Sequence, residues 1–140
     1  MLSTSVLFLL VGVLILAVVF ILFMSLRGKI APTINREKYQ AHWLEIENSI
    51  SRDNQASCHM AILNADKLLD MALKESRYSG QTMGDRMKSA NDVWKNANSV
   101  WTAHKVRNKL AHEPGASVGY ELTLRTLGIF KQALKDLGVI

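Results

Sequence analysis

The first 26 residues carry no charged side chain, and no other feature of the sequence constrains the fold as strongly. Most residues of this run are Leu, Val, Ile or Phe. As a helix rising 1.5 Å per residue, the run is longer than the ~30 Å hydrocarbon core of a bilayer. The alternative, a cleaved signal peptide, would have a basic start, a shorter apolar run and a small-residue cleavage site. The sequence therefore predicts an uncleaved transmembrane anchor over residues 1–27.

Basic side chains follow the anchor and none precedes it. Arg27, Lys29, Arg36 and Lys38 lie just beyond the apolar run. Cytoplasmic flanks of membrane spans are enriched in Lys and Arg. We therefore expect a single-pass membrane protein whose C-terminal domain lies in the cytoplasm.

The remainder of the chain is long enough for one small hydrophobic core. Gly28 and Pro32 indicate a juxtamembrane linker at 28–33, followed by a domain at 34–140. Apolar residues recur there at helical spacing, and no segment alternates with period two. The prediction is an all-α chain, with the transmembrane helix followed by an antiparallel bundle of four to five helices. The pattern leaves open whether residues 96–99 form a turn or lie within a continuous helix.

Charge, cysteine content and the motifs that are missing leave several classes of function without support. The net charge is +5, but Lys and Arg are scattered among acids, so any basic patch must be assembled by folding. Cys58 is the sole cysteine, and no Cys or His spacing typical of a metal site occurs. No glycine-rich phosphate loop or nucleophile elbow is present. Kinase, hydrolase and metalloenzyme functions are unsupported, and no cofactor or metal is expected.

One short run, at residues 107–112, carries candidate chemistry. It reads Arg-Asn-Lys-Leu-Ala-His and precedes an acidic residue and Pro-Gly. On a helix, Arg107 falls beside an apolar face, while His104, Asn108 and His112 form a row at four-residue spacing. A guanidinium at the edge of a core is costly unless an anion meets it.

These residue types can carry out acid–base chemistry at a phosphodiester. Histidine titrates near neutrality and serves as acid or base, and arginine remains charged and fits phosphate oxygens. The hypothesis is that His112 is the general acid/base and Arg107 stabilises the phosphorane. Asn108 would position His112 or the scissile phosphate.

The motif resembles the Arg-polar-x-x-x-His signature of the HEPN superfamily, small all-helical domains found in many prokaryotic ribonucleases. The resemblance covers roughly residues 43–137, and the segment Ala-Asp-Lys-Leu-Leu-Asp at 65–70 is similar to the family's earlier helix. It implies a homodimer that cleaves RNA without metal, with Asp66 holding the motif arginine.

Other residues and partners complete this hypothesis. His104, Lys105 and Lys109 would extend the site toward the RNA backbone. Expected partners are RNA, the membrane through the N-terminal helix, and a second copy of the chain. An active ribonuclease would also need either an inhibitor or regulator protein or a weak resting state.

Three alternatives remain open. In the first, Arg107 is only a structural ion-pair partner of Asp66 or Glu113, and His112 is a cation that the helix dipole favours at the C-terminus. The second is a non-catalytic HEPN-like module that dimerises or binds protein or nucleic acid. The third is a basic peripheral domain that organises lipid or nucleic acid at the membrane.

Overall fold

The computed structural model describes the backbone of residues 4–27 and 33–140. Within these residues the chain is helical and contains no strand, which confirms the all-α prediction. Two compact units are distinguished, Met1–Pro32 and Thr33–Ile140. The predicted linker at 28–33 falls almost wholly outside the described residues.

The first unit contains a single helix, α1, which spans Thr4–Arg27. Its 24 residues would extend about 36 Å. The side chains described along it, those of residues 4–24, are exposed. The segment Thr4–Met24 is long and apolar enough to cross a membrane.

The second unit holds five α-helices and one short 3₁₀ turn in the described residues. The helices are α2 Arg36–Asn48, α3 Gln55–Glu75, α4 Met83–Ser89, α5 Ala97–His112 and α6 Tyr120–Asp136. The 3₁₀ turn, Asn91–Val93, lies between α4 and α5. Neither alternative for residues 96–99 holds: residues 97–99 lie within α5, and the helix is broken earlier, where Trp94 is extended and Asn96 caps α5.

Side chains cap the starts of four helices. Asn35, Asn54 and Asn96 each accept a hydrogen bond from the backbone N–H three residues ahead. Thr82 and Asp85 form a reciprocal capping box at α4. Asn96 therefore sets where α5 begins, because its side chain satisfies a backbone donor that the helix leaves unpaired.

Helix α3 is the centre of the domain and contacts α2, α4, α5 and α6. Its apolar face is buried, including Ala61, Ala65, Leu68, Leu69 and Ala72. The neighbouring helices add the rest of the core, chiefly Tyr39, Trp43, Met87, Trp94, Ala103, Leu127, Phe130 and Leu134. Every described core residue lies between Tyr39 and Val139, so the core belongs to the second unit.

The site is positioned by the contact between α3 and α5. Ala103 and Leu110 are buried on α5, and Val106 between them is half-buried. The face predicted to be buried therefore packs inward, which places Arg107 at the edge of the core beside α3.

Candidate functional site

Arg107 meets a buried carboxylate on the neighbouring helix. Its Nε lies 3.1 Å from Oδ2 of Asp66, whose side chain is only 3% exposed. A carboxylate buried to this degree requires charged or hydrogen-bonding partners, because it has lost its water. The anion that the sequence required for Arg107 is therefore Asp66, and Glu113 instead approaches Lys109 at 3.9 Å.

This contact does not use all the hydrogen-bond donors of the Arg107 guanidinium. Its Nη1 donates to Oδ1 of Asn108 at 2.9 Å. The buried Nε–H lacks a hydrogen-bond partner within the described residues, so the contact with Asp66 is an ion pair without a well-directed hydrogen bond. The Arg107 side chain remains one-third exposed. Arg107 is therefore held by protein groups and still partly open to solvent.

His104 shares the same carboxylate. Its Nδ1 lies 2.8 Å from Oδ1 of Asp66. An ionised carboxylate only accepts hydrogen bonds, so Nδ1 carries the proton and donates. The ring of Trp101 stands nearly perpendicular to the imidazole, at 79° with 6.2 Å between centroids. Together these contacts fix the orientation of the imidazole, which the sequence pattern did not indicate.

His112 is placed differently. It is the last residue of α5, its side chain is exposed, and it is not bonded to the Asp66 group in the described part of the chain. Asn108 binds Arg107 rather than His112. Lys105 and Lys109 are exposed on the same helix. The structure thus brings together Asp66, His104, Arg107 and Asn108, and leaves His112 at the end of the helix.

Sequence reasoning missed a second buried ion pair one turn along α3. Asp70 Oδ1 accepts from Arg86 Nε at 2.9 Å and from Nη2 at 2.6 Å. Arg86 Nη1 donates to the carbonyl of Gly80 at 2.8 Å, and Lys74 Nζ lies 2.7 Å from Asp70 Oδ2. The four-residue spacing of Asp70 and Lys74 was visible in the sequence, whereas the link to Arg86 depends on the packing of α4.

Burial and ion pairing act in opposite directions on Asp70. Burial alone would raise the pKa of its carboxyl group. Hydrogen bonds and positive charge from Lys74 and Arg86 outweigh burial, and the pKa is lowered. Asp70 is therefore ionised in the folded domain, and it joins α3 to α4 and to the loop that precedes α4.

The candidate site lies apart from two grooves of the domain, one of about 560 Å³ between α2 and α3 and one of about 330 Å³ between α5 and α6. Neither is lined by Arg107 or His112. Across residues 4–27 and 33–140, no three His, Cys, Asp or Glu side chains converge as metal ligands would.

Comparisons with known proteins add no information about this site. No family model, curated protein or solved structure matches the chain.

Proposed function

We propose that the chain is a membrane-anchored, HEPN-like endoribonuclease that works without metal and as a homodimer. Arg107 stabilises the pentavalent phosphorane, His112 transfers protons, and Asp66 holds the arginine in place. The domain lies on the cytoplasmic side of the membrane, where RNA is present.

One observation carries the proposal: an arginine that is held by a buried carboxylate and yet remains one-third exposed. A purely structural ion pair has no need of access from solvent, whereas a phosphate-binding arginine must be oriented and still accessible. The exposed Lys105 and Lys109 on the same helix add positive charge for the RNA backbone.

The dimer follows from the number of proton-transfer groups that one phosphodiester needs. Cleavage by the 2′-hydroxyl needs one group to remove a proton and another to supply one. His112 of one copy provides a single such group. A symmetric pair of motifs provides two histidines and two arginines.

Cleavage of end-labelled RNA by the full-length chain in detergent micelles, with EDTA present, tests the proposal. We expect Arg107→Ala and His112→Ala each to reduce the cleavage rate about 100-fold or more. Matched controls are Arg125→Ala, an exposed arginine on α6, and His42→Ala, a half-buried histidine on α2. Both controls should leave the rate unchanged.

Mixing the two inactive variants tests the dimer. If each site uses residues from both copies, Arg107→Ala mixed with His112→Ala should recover part of the activity. Loss of folding in Arg107→Ala would instead favour the structural ion pair. Cleavage that survives both variants would remove the assigned roles.

The second candidate function is a non-catalytic HEPN-like module that dimerises or binds protein or nucleic acid at the membrane. The position of His112 favours it, because this histidine lies at the exposed end of α5 and is not bonded to Asp66 or Arg107 within the described residues. A folded dimer that binds RNA and leaves it intact in the same assay would establish this function.

A further inference from the structure

We propose that His104, oriented by Asp66, is the general base that removes the proton from the ribose 2′-hydroxyl beside Arg107. This inference rests on the proposed ribonuclease function and moves the base from His112 to His104. His112 then serves as the acid.

His104 and Arg107 contact the two oxygens of one carboxylate. His104 Nδ1 lies 2.8 Å from Oδ1 and Arg107 Nε lies 3.1 Å from Oδ2 of Asp66. Imidazole and guanidinium are therefore neighbours whose relative position is set by one buried group. A phosphate bound to Arg107 would lie beside His104.

Along and around the helix, His112 is further from Arg107 than His104 is. His104 precedes Arg107 by three residues, about 60° around the helix and about 4.5 Å along it. His112 follows Arg107 by five residues, about 140° around and about 7.5 Å along. Of the two histidines, His104 is the one that can share a phosphodiester with Arg107 of the same copy.

The hydrogen bond to Asp66 also leaves the correct nitrogen available. With the proton on Nδ1, the lone pair is on Nε2, across the ring from the buried carboxylate. Within the described residues Nε2 has no hydrogen-bond partner, and it is not a buried atom. The side chain is 12% exposed, so the imidazole is not fully enclosed. Asp66 further stabilises the imidazolium that forms when Nε2 accepts a proton.

His104, Arg107 and His112 each act at a different oxygen around the scissile phosphorus. His104 Nε2 takes the proton of the 2′-hydroxyl while the 2′-oxygen bonds to phosphorus, and Arg107 neutralises the phosphorane. The bond from phosphorus to the 5′-oxygen breaks, and its electron pair goes to that oxygen. The 5′-oxygen takes a proton from protonated His112 of a second copy. The products are a 2′,3′-cyclic phosphate and a 5′-hydroxyl, and both histidines then exchange protons with water.

His104→Asn in the full-length chain separates a chemical role from a structural one. The asparagine amide can still donate to Asp66, but it cannot accept a proton near neutral pH. With a labelled oligonucleotide in EDTA, we expect kcat to fall about 100-fold or more with KM and the unfolding temperature nearly unchanged. His42→Asn is the matched control and should cleave as the unchanged chain does.

Imidazole rescue provides a second measurement should His104→Asn fold poorly. His104→Ala leaves a space beside Asp66, and added imidazole should restore part of the cleavage rate. In His112→Ala the proposed base is intact. Added imidazole should therefore leave unchanged the limb of the kcat profile that falls at acid pH, because that limb is assigned to the base.

The outcomes separate the two proposals. Loss of kcat in His104→Asn, or rescue of His104→Ala by imidazole, supports His104 as the base. Full activity in a folded His104→Asn chain overturns this inference and leaves the ribonuclease function with His112. No cleavage by the unchanged chain overturns both.

Discussion

Two arginines from different helices are held by aspartates one turn apart on α3. Asp66 contacts Arg107 of α5, and Asp70 contacts Arg86 of α4. The pairs differ in exposure, because the side chain of Arg86 is 8% exposed and that of Arg107 is 33% exposed. Arg86 also binds a backbone carbonyl and is enclosed. The enclosed pair is structural, whereas the Asp66 pair leaves its arginine partly open to solvent.

The Asp70 pair should make the stability of the domain depend on pH. Its pKa is lower in the folded chain than the ordinary value of about 3.9, so the unfolded chain takes up the proton first as pH falls. The stabilisation is complete above that ordinary value and is lost as pH falls through the folded-state pKa. We expect Asp70→Asn to lower the unfolding temperature at pH 7 and to have a smaller effect near pH 3, where the unfolded chain already holds the proton.

Thermal unfolding followed by circular dichroism at the two pH values measures this effect. Asp53→Asn, at an exposed aspartate in the turn before α3, is the control and should change little at either pH. An equal loss at both pH values for Asp70→Asn would mean that packing, rather than charge, accounts for the contribution of Asp70.

Individual helices are defined by their ends as much as by their faces. Helix α3 ends in a left-handed residue, Arg77, with φ of 62°, and the N–H of Tyr78 bonds back to the carbonyl of Leu73 at 3.0 Å. Helix α6 ends in the same way at Gly138, with φ of 70°. Glycine is the usual residue at this position because it has no Cβ to clash.

Arg77→Gly should therefore stabilise the domain. Removing the left-handed strain gains about 1 kcal/mol, part of which is offset by the greater freedom of glycine in the unfolded chain. The unfolding temperature should rise by up to about 4 °C. Gly138→Ala is the reciprocal change, and we expect a loss of about 1 kcal/mol, since space for a Cβ exists there but the backbone angle is unfavourable.

Chemical denaturation of the two variants measures both changes. A lower stability for Arg77→Gly would contradict the strain argument and point to a contact made by the Arg77 side chain in the folded domain.

The periodic faces of the helices were predictable, and the breaks were less so. Trp94 and Ala97 continue the apolar spacing that begins at Met83, so the pattern allowed one helix across this region. The chain instead breaks after Ser89, because the indole N–H of Trp94 bonds to the carbonyl of Met87 at 3.1 Å and Asn96 starts α5. That break sets the register at which α5 presents Arg107 to Asp66.

At the scale of the whole molecule, the described core lies entirely within the second unit, while α1 is apolar and its described side chains are exposed. Attachment to a membrane should therefore depend on residues 1–27 alone. We expect the full-length chain to remain in the membrane pellet after alkaline carbonate extraction, and a chain of residues 33–140 to be found in the supernatant.

Mass spectrometry of the extracted protein distinguishes an anchor from a signal peptide. A membrane-bound chain of full mass supports the anchor. A soluble chain that lacks the apolar run would show that the segment is cleaved and would contradict the anchored arrangement.

The sequence alone was sufficient for features that depend on neighbours along the chain. An uncharged apolar run predicts a membrane-length helix, and helical spacing predicts the buried faces of the domain, because both are properties of one segment. The spacing also predicted that Arg107 lies at the edge of the core.

Only the tertiary structure decided which groups meet across helices. Asp66 and Glu113 were both available to Arg107, and the packing of α3 against α5 selected Asp66. The same packing placed His104 on that carboxylate, and the packing of α4 gave Asp70 its arginine. Such contacts join residues 16 to 41 positions apart, and periodicity within one helix carries no information about the rotation of another.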